Sequence, residues 1–420
     1  MILAVSRIVQ VQNESNETIT ISETVPSSPE HRPLHESVMP ILPSQRHHFD
    51  LPADVAYLNC AYMSPLANQV LGAGTVGLER KRRPWTVLPA DFFTQTQLAR
   101  ETFARLIGPA ATAEDIAIVP AASYGMATAA ANLPLAPGDR VLLLAGEFPS
   151  TILTWREHAR AAGAEVVTLA EPPDHDWTPV ILTAIDERTR VAALPAVHWI
   201  SGARIDLGLV RRRLAQVGGA LVLDLTQSLG AMPFDLREAD PDFMVAACYK
   251  WLLGPYTTGF LYVAPRHHGG RPLEHHWFGR RDSENFSALG YSEEFQPGAR
   301  RFDMGEPSNF ALLPAAVAGL ELILHWGVAN ISATAGAFAD EIVARAADLG
   351  LGTVPATVRA PHYVSLTSRA GLSPDLADRL AASGVYVSVR GGRSLRITPH
   401  VYNEAADVDR LFSVLTPALA

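Results

Sequence analysis

The apolar run ALVLD ends on Asp224, and a second run, FMVAACYK, ends on Tyr249 and Lys250, the lysine following the aspartate by 26 residues. A lone strand-end aspartate is ordinarily a helix cap, and a lone lysine a surface charge. Together at this separation they fit one strand-helix-strand step and share one edge of a sheet, where ligands bind in α/β folds. That pairing suits pyridoxal phosphate chemistry. A lysine forms a Schiff base with the cofactor, and an acid keeps the pyridine nitrogen protonated so that the ring withdraws electrons from a substrate Cα.

Other strand ends carry candidates of the same kind. RVLLLAG runs into Glu147, Phe148, Pro149 and Ser150, and RVAALPAVHW ends on His198 and Trp199. In PAASYGMATAA a strand end opens a helix, whose first N–H groups and dipole suit a phosphate; Ser123 and Tyr124 stand there. Between the runs lie helical patterns such as TILTWREHARAAG and LGLVRRRLAQVG, each closing on glycine as a helix C-cap does. Strands apolar throughout, with helices between, predict an α/β fold with a mostly parallel sheet covered on both faces. After residue 305 a long helical run, LLPAAVAGLELILHWGVANI, precedes short strands in HYVSLTS, VYVSVRGG and SLRITP, which predicts a smaller α+β domain.

The motif DLTQSLGAMPFD (224–235), paired with CYKWLLGPYTTGFLYV (248–263), resembles the class V aminotransferase family. This family of fold-type I pyridoxal-phosphate enzymes includes cysteine desulfurases, kynureninases and isopenicillin-N-epimerase-like proteins. The likeness extends from AYLNCAYMSPL (56–66) to LRITPHVYNEAADVDRLFSVL (395–415). Ahead of it the Ser, Thr, Glu, Asn and Pro content predicts a mobile N-terminal arm (1–48), followed by a segment joining the small domain (49–75), a large cofactor-binding domain (76–304) and a small C-terminal domain (305–420).

The resemblance also implies roles. Lys250 is the Schiff-base lysine, Asp224 pairs with the pyridine nitrogen, and Gln227 lies beside the ring 3-oxygen. Phe148 stacks on the ring, while Ser123, Tyr124 and Tyr249 serve the phosphate. Arg396 forks onto the α-carboxylate of an amino acid, and His198 and Trp199 lie near ring or substrate. A homodimer and a small amino acid or amine substrate are implied as well. Transamination is the first expectation, with a C–S lyase, an epimerase or a kynureninase-like lyase as alternatives.

Two departures narrow this expectation. Desulfurases place a nucleophilic cysteine on a C-terminal loop, but VSVRGGRSLRIT (387–398) has none, which argues against that activity. Where many members use a Gly-Thr pair from the neighbouring subunit to touch the phosphate, this chain has Gly305 and Glu306. Ser308, Thr257 or Thr258 would then supply that contact, or Glu306 would turn toward substrate.

Composition bounds the alternatives. A chain of 420 residues, 48% hydrophobic, buries a sizeable core, and a net charge of −9 offers no broad attraction to nucleic acid or to an anionic membrane. Two cysteines make no disulfide framework and fit a reducing cytoplasm. The histidine pairs His47/His48, His267/His268 and His275/His276 lack ligand spacing, so no metal is expected. GAGTVG (72–77) spells a dinucleotide fingerprint and makes a nicotinamide or flavin oxidoreductase the rival reading, but no compact strand precedes it. A non-catalytic protein on the same fold would have lost the lysine, which is present.

Overall fold

In the computed structural model, residues 6–12, 18–24, 41–287, 290 and 292–419 are described. The chain divides into two compact units, Met1–Met39 and Pro40–Ala420. In the first, Ser6–Gln12 and Thr18–Thr24 pair antiparallel, with Ser6 opposite Thr24 and Gln12 opposite Thr18. The alternation of β-branched and polar residues in IVQVQ and TITIS favours this pairing over the unstructured arm expected from composition. The remainder of that arm up to residue 40 lies outside the described residues.

Residues 41–48, also assigned to the arm, are fastened to the second unit instead. Arg46 reaches Asp407 at 3.2 Å and donates to the carbonyls of Pro52 and Val55 at 2.7 Å each, and the Gln45 N–H donates to Val401 at 2.9 Å. One guanidinium thus gathers three chain segments, a use of its fixed fork of donors that composition does not reveal.

The second unit is organised by a seven-stranded sheet. Its strands are β1 (Ile116–Val119), β2 (Arg140–Leu144), β3 (Glu165–Leu169), β4 (Thr189–Pro195), β5 (Ala220–Asp224), β6 (Phe243–Ala247) and β7 (Gly259–Val263). They lie side by side in the order β1-β7-β6-β5-β4-β2-β3. Only β7 runs against its neighbours, so the other six present their carboxyl ends at one edge, where β7 begins.

Alternate strand residues enter two separate cores. Ile118, Leu142, Leu194, Leu223 and Met244 join one, while Val119, Leu143, Ala193, Val222 and Val245 join the other. A strand buried on both faces must be apolar at every position, which is why these runs are continuous in sequence. β3 is the exception. As an edge strand it is half exposed, its pattern EVVTL carries a glutamate and a threonine, and the sequence reading passes over it.

The expected long helix after residue 311 is two, Leu312–Trp326 and Val328–Ala347, meeting at 79°. Gly327, at φ +79°, takes the left-handed turn that ends the first. No single helix among the described residues is long and apolar enough to cross a membrane. Beyond them Val364–Thr367, Ser394–Ile397 and Ser388–Arg390 form a three-stranded antiparallel sheet in that order. Ala56–Tyr57 pairs in parallel with Val385–Tyr386, and Ala56 and Leu58 join the core of this C-terminal lobe. GAGTVG lies within the helix Asn68–Arg80, where a Cβ on Gly77 would fall 1.8 Å from the carbonyl oxygen of Phe310. Gly77 thus serves close packing, while a Cβ on Gly72 would meet nothing within 4 Å, and the motif sits inside a helix and not at the strand-to-helix turn a nucleotide fingerprint needs.

Candidate active site

The carboxyl edge of the sheet holds a cavity of about 410 Å³. β5 delivers Asp224 as its last residue, and the turn after β6 delivers Lys250. β2 leads to Glu147 and Phe148, β4 to Trp199, and the segment just before β7 supplies Thr257 and Thr258; all line the cavity. The motif glycine Gly230, at φ +94°, lets the turn after β5 pass the lysine loop: a Cβ there would lie 2.5 Å from the carbonyl oxygen of Trp251.

Lys250 is 6% exposed, and its Nζ lies 5.5 Å from the centroid of Phe148 and 5.3 Å from that of Tyr249. Burial pushes its ammonium down to about 8, against the pull of Asp224, with Arg396 and Arg390 lowering it further. Asp224 is buried too, and burial raises its carboxyl; the N–H of Thr226, 2.9 Å from Oδ1, and the charge of Lys250 act the other way. An amine and an acid on neighbouring strand ends are therefore both removed from water.

Gln227 is held at both ends of its amide. Nε2 donates to the carbonyl of Ala61 at 3.2 Å, and Oε1 accepts from Trp251 Nε1 at 3.1 Å. Tyr249 lines the cavity, and burial pushes its hydroxyl up to about 12. At the end of β1 the helix Ala122–Asn132 starts from Ala121 with no side-chain cap, and Ala121, Ala122 and Ser123 line the cavity. Its first N–H groups are thus an open anion cradle.

Three expected residues, Tyr124, His198 and Arg396, are not among those that line this cavity. The hydroxyl of Tyr124 donates to the carbonyl of Asp303 at 3.4 Å. His198 is buried behind the wall, with Nδ1 3.0 Å from Ser201 Oγ and Nε2 3.2 Å from the carbonyl oxygen of Ala145. Alternation explains His198, since Pro195, Val197 and Trp199 line the cavity and His198 between them faces the other way. Of the groups considered for the phosphate, Ser308 is spent on the carbonyl of Phe92 at 2.7 Å; Glu306, considered for the substrate, is exposed and does not line the cavity.

Arg396 is 1% exposed and has no carboxylate partner among the described residues. Its Nη1 donates to the carbonyl of Trp199 at 3.2 Å and its Nη2 to Ser388 Oγ at 3.4 Å, leaving Nε buried and unpaired. A buried guanidinium without a counter-ion is costly unless an anion arrives. Glu147 has no role in the sequence reading. It is 7% exposed, Oε1 accepts the Phe148 N–H at 2.5 Å, and Oε2 has no partner. Burial pushes it up to about 8, with Asp224 adding and Lys250 opposing. Its place in GEFPS, directly before the ring-stacking position, was the signal available.

These features fit pyridoxal phosphate: a buried amine over an aromatic face, a buried acid one strand away, an uncapped helix start, and polar atoms left unpaired around a cavity. Comparison with known proteins agrees. The model of the family described as aminotransferase class-V matches residues 82–411, and the chain belongs to that family. It is accordingly a pyridoxal-phosphate-dependent enzyme with the fold-type I architecture.

Among its relatives is an uncharacterized aminotransferase, YcbU, of Bacillus subtilis, 29% identical over 74% of this chain and 80% of that protein. A kynureninase of Deinococcus radiodurans is 31% identical over 64% of this chain and 66% of its own length. A cysteine desulfurase structure from Thermococcus onnurineus superposes with a TM-score of 0.79 at 20% identity, covering 89% of this chain and 97% of that one; it shows the fold alone.

Proposed function

We propose that the protein is an aminotransferase acting on an amino acid through Lys250. The observation that carries this reading is the burial of Lys250 and Asp224 on adjacent strand ends around one cavity. When bound, pyridoxal phosphate supplies an electron-withdrawing ring that stabilises negative charge at the substrate Cα. Asp224 holds the ring nitrogen protonated, Phe148 covers the ring face, and the helix start at Ala122–Ser123 takes the phosphate with Thr257 or Thr258. Gln227 donates toward the ring 3-oxygen. Arg396 grips the substrate α-carboxylate and fixes which Cα bond faces the lysine. Lys250 is the covalent anchor. When it is free, its Nζ, which burial lowers to about 8, would take and return the substrate Cα proton.

The name of the Bacillus relative supports transamination. A kynureninase-like lyase is the second reading, supported by the kynureninase relatives. Both cysteines are buried, with burial raising their thiols, which weighs against a persulfide-forming desulfurase. Two buried, unpaired cysteines are also consistent with a reducing cytoplasm.

A homodimer belongs to the same proposal. Leu71, Val76 and Leu78 on the helix Asn68–Arg80 are exposed, as are Trp85 and Leu88 a few residues on, apolar side chains that a second copy would take out of water. Light scattering should give twice the chain mass of 45.3 kDa.

The test of the activity is a panel of amino acids assayed with a keto-acid acceptor. Stoichiometric appearance of a new keto acid and a new amino acid, lost in Lys250→Ala, is the expected result. Release of alanine from kynurenine, without net amino transfer, would replace the first reading by the second.

A further inference from the structure

Two guanidinium groups, which do not themselves line the cavity, flank the indole of Trp199, one of its walls. The Cζ of Arg390 lies 5.5 Å from the ring centroid and that of Arg396 6.0 Å. Both come from one face of the small sheet: Ser388 pairs with Arg396 and Arg390 with Ser394, so the two arginines are diagonal neighbours on antiparallel strands. Among the described residues neither forms an ion pair with a carboxylate. Each leaves a buried Nε with no hydrogen-bond partner, and each acts on Lys250 as a like charge.

One α-carboxylate answers only one of these cations. Arg396, fully buried and held by Trp199 and Ser388, is the rigid one and suits the group common to all amino acids. Arg390 is half-buried, makes no side-chain hydrogen bond among the described residues, and stands on the same sheet face beside the glycines Gly391 and Gly392. A neutral side chain reaching it would leave a desolvated cation beside a second one, whereas a carboxylate would be bound bidentately and neutralise it.

We propose that Arg390 is a second anion subsite and that the substrate is an amino acid whose side chain carries its own carboxylate. The inference rests on the reading of Arg396 as the α-carboxylate clamp of a Lys250 enzyme, and it adds the substrate class.

Calorimetric titration of the protein loaded with pyridoxal phosphate tests it. L-aspartate and L-glutamate are compared with L-asparagine and L-glutamine, which match them in shape and lack the charge. The expected result is acid bound on the order of 10- to 100-fold more tightly than amide, the range of a hydrogen bond to a charged group. Arg390→Gln should weaken the acid at least ~10-fold more than the amide, and Arg390→Lys, which keeps the charge but not the fork, should fall between. Equal affinity for acid and amide in wild type, no binding of either, or an equal loss for both in Arg390→Gln would overturn the subsite. Calorimetry needs no chromophore, so the cofactor absorbance band recorded beside it separates the two levels. Acid preference without that band would sink the cofactor reading alone, and the band without acid preference would sink the subsite alone.

Discussion

Trp251 Nε1 donates to Gln227 Oε1 at 3.1 Å, and this one bond decides which way the glutamine amide points. An indole N–H can only donate, so the atom it meets must be the carbonyl oxygen. Nε2 is thereby fixed on the other side, one hydrogen on the Ala61 carbonyl at 3.2 Å and one left over. Gln227 lines the cavity as a donor and not as an acceptor.

Trp251→Phe removes the restraint while keeping an aromatic ring. Loss of an oriented donor to the ring 3-oxygen should let that oxygen hold its proton more tightly. The pH at which the absorbance of the lysine-bound cofactor titrates should rise by about half to one unit, the equivalent of one hydrogen bond. In a Gln227→Ala background the same substitution should move it no further. A shift of equal size in that background would mean that Trp251 acts by another route.

Asp224→Asn keeps the shape of the strand end and removes the charge that holds the ring nitrogen protonated. Turnover should fall on the order of 10²- to 10³-fold, as for loss of one preorganised electrostatic contact, with substrate affinity changed far less. Steady-state kinetics with the preferred amino donor reads both. A fall in affinity with unchanged turnover would take Asp224 away from the ring.

Glu147 makes a pH-dependent prediction about stability. Its carboxyl is raised from 4.5 to about 8 in the folded protein, so between those values the native state binds the extra proton and stability falls as pH rises. Glu147→Gln keeps the acceptor for the Phe148 N–H and has no charge to bury. In urea titrations of the cofactor-free protein the two should be about equally stable near pH 4.5. By pH 8 the variant should lead by about 2 to 4 kcal/mol. A lead that is constant with pH would mean that the carboxyl titrates normally.

The expectation for Asp303 concerns the frame behind the phosphate end. Asp303 and Arg100 form an ion pair buried from water; Asp303 also accepts the Ile118 N–H at 2.8 Å, and Arg100 Nε donates to the Ile116 carbonyl at 3.1 Å. Both β1 residues lie just ahead of the helix that cradles the phosphate. Asp303→Ala leaves a buried guanidinium unpaired and should cost about 3 to 5 kcal/mol by denaturant titration. A loss below ~1 kcal/mol would show that water reaches the pair.

The parts of this site that could be read in the sequence are those where one residue's neighbours in the chain determine its place. Asp224, Lys250 and Phe148 follow apolar strands buried on both faces, so the end of each run could be located and the sheet edge inferred. β3 could not be found this way, because an edge strand need not be apolar throughout. Tyr124 and His198 sit one residue from true lining positions, an error that strand and helix periodicity resolve only when the register is known. Arg390, Trp251 and the Arg46 clasp owe their importance to groups far away in sequence, and no local pattern marks them. Glu147 was visible as a strand-end acid, but only burial distinguishes it from a solvated one.

The central claim is that Lys250 carries the cofactor, and borohydride reduction followed by peptide mass mapping tests it most directly. The protein incubated with pyridoxal phosphate, reduced and digested should carry the added cofactor mass on the peptide containing Lys250, and Lys250→Ala treated identically should carry none. Label on a different lysine, or equal label in the variant, would contradict the account.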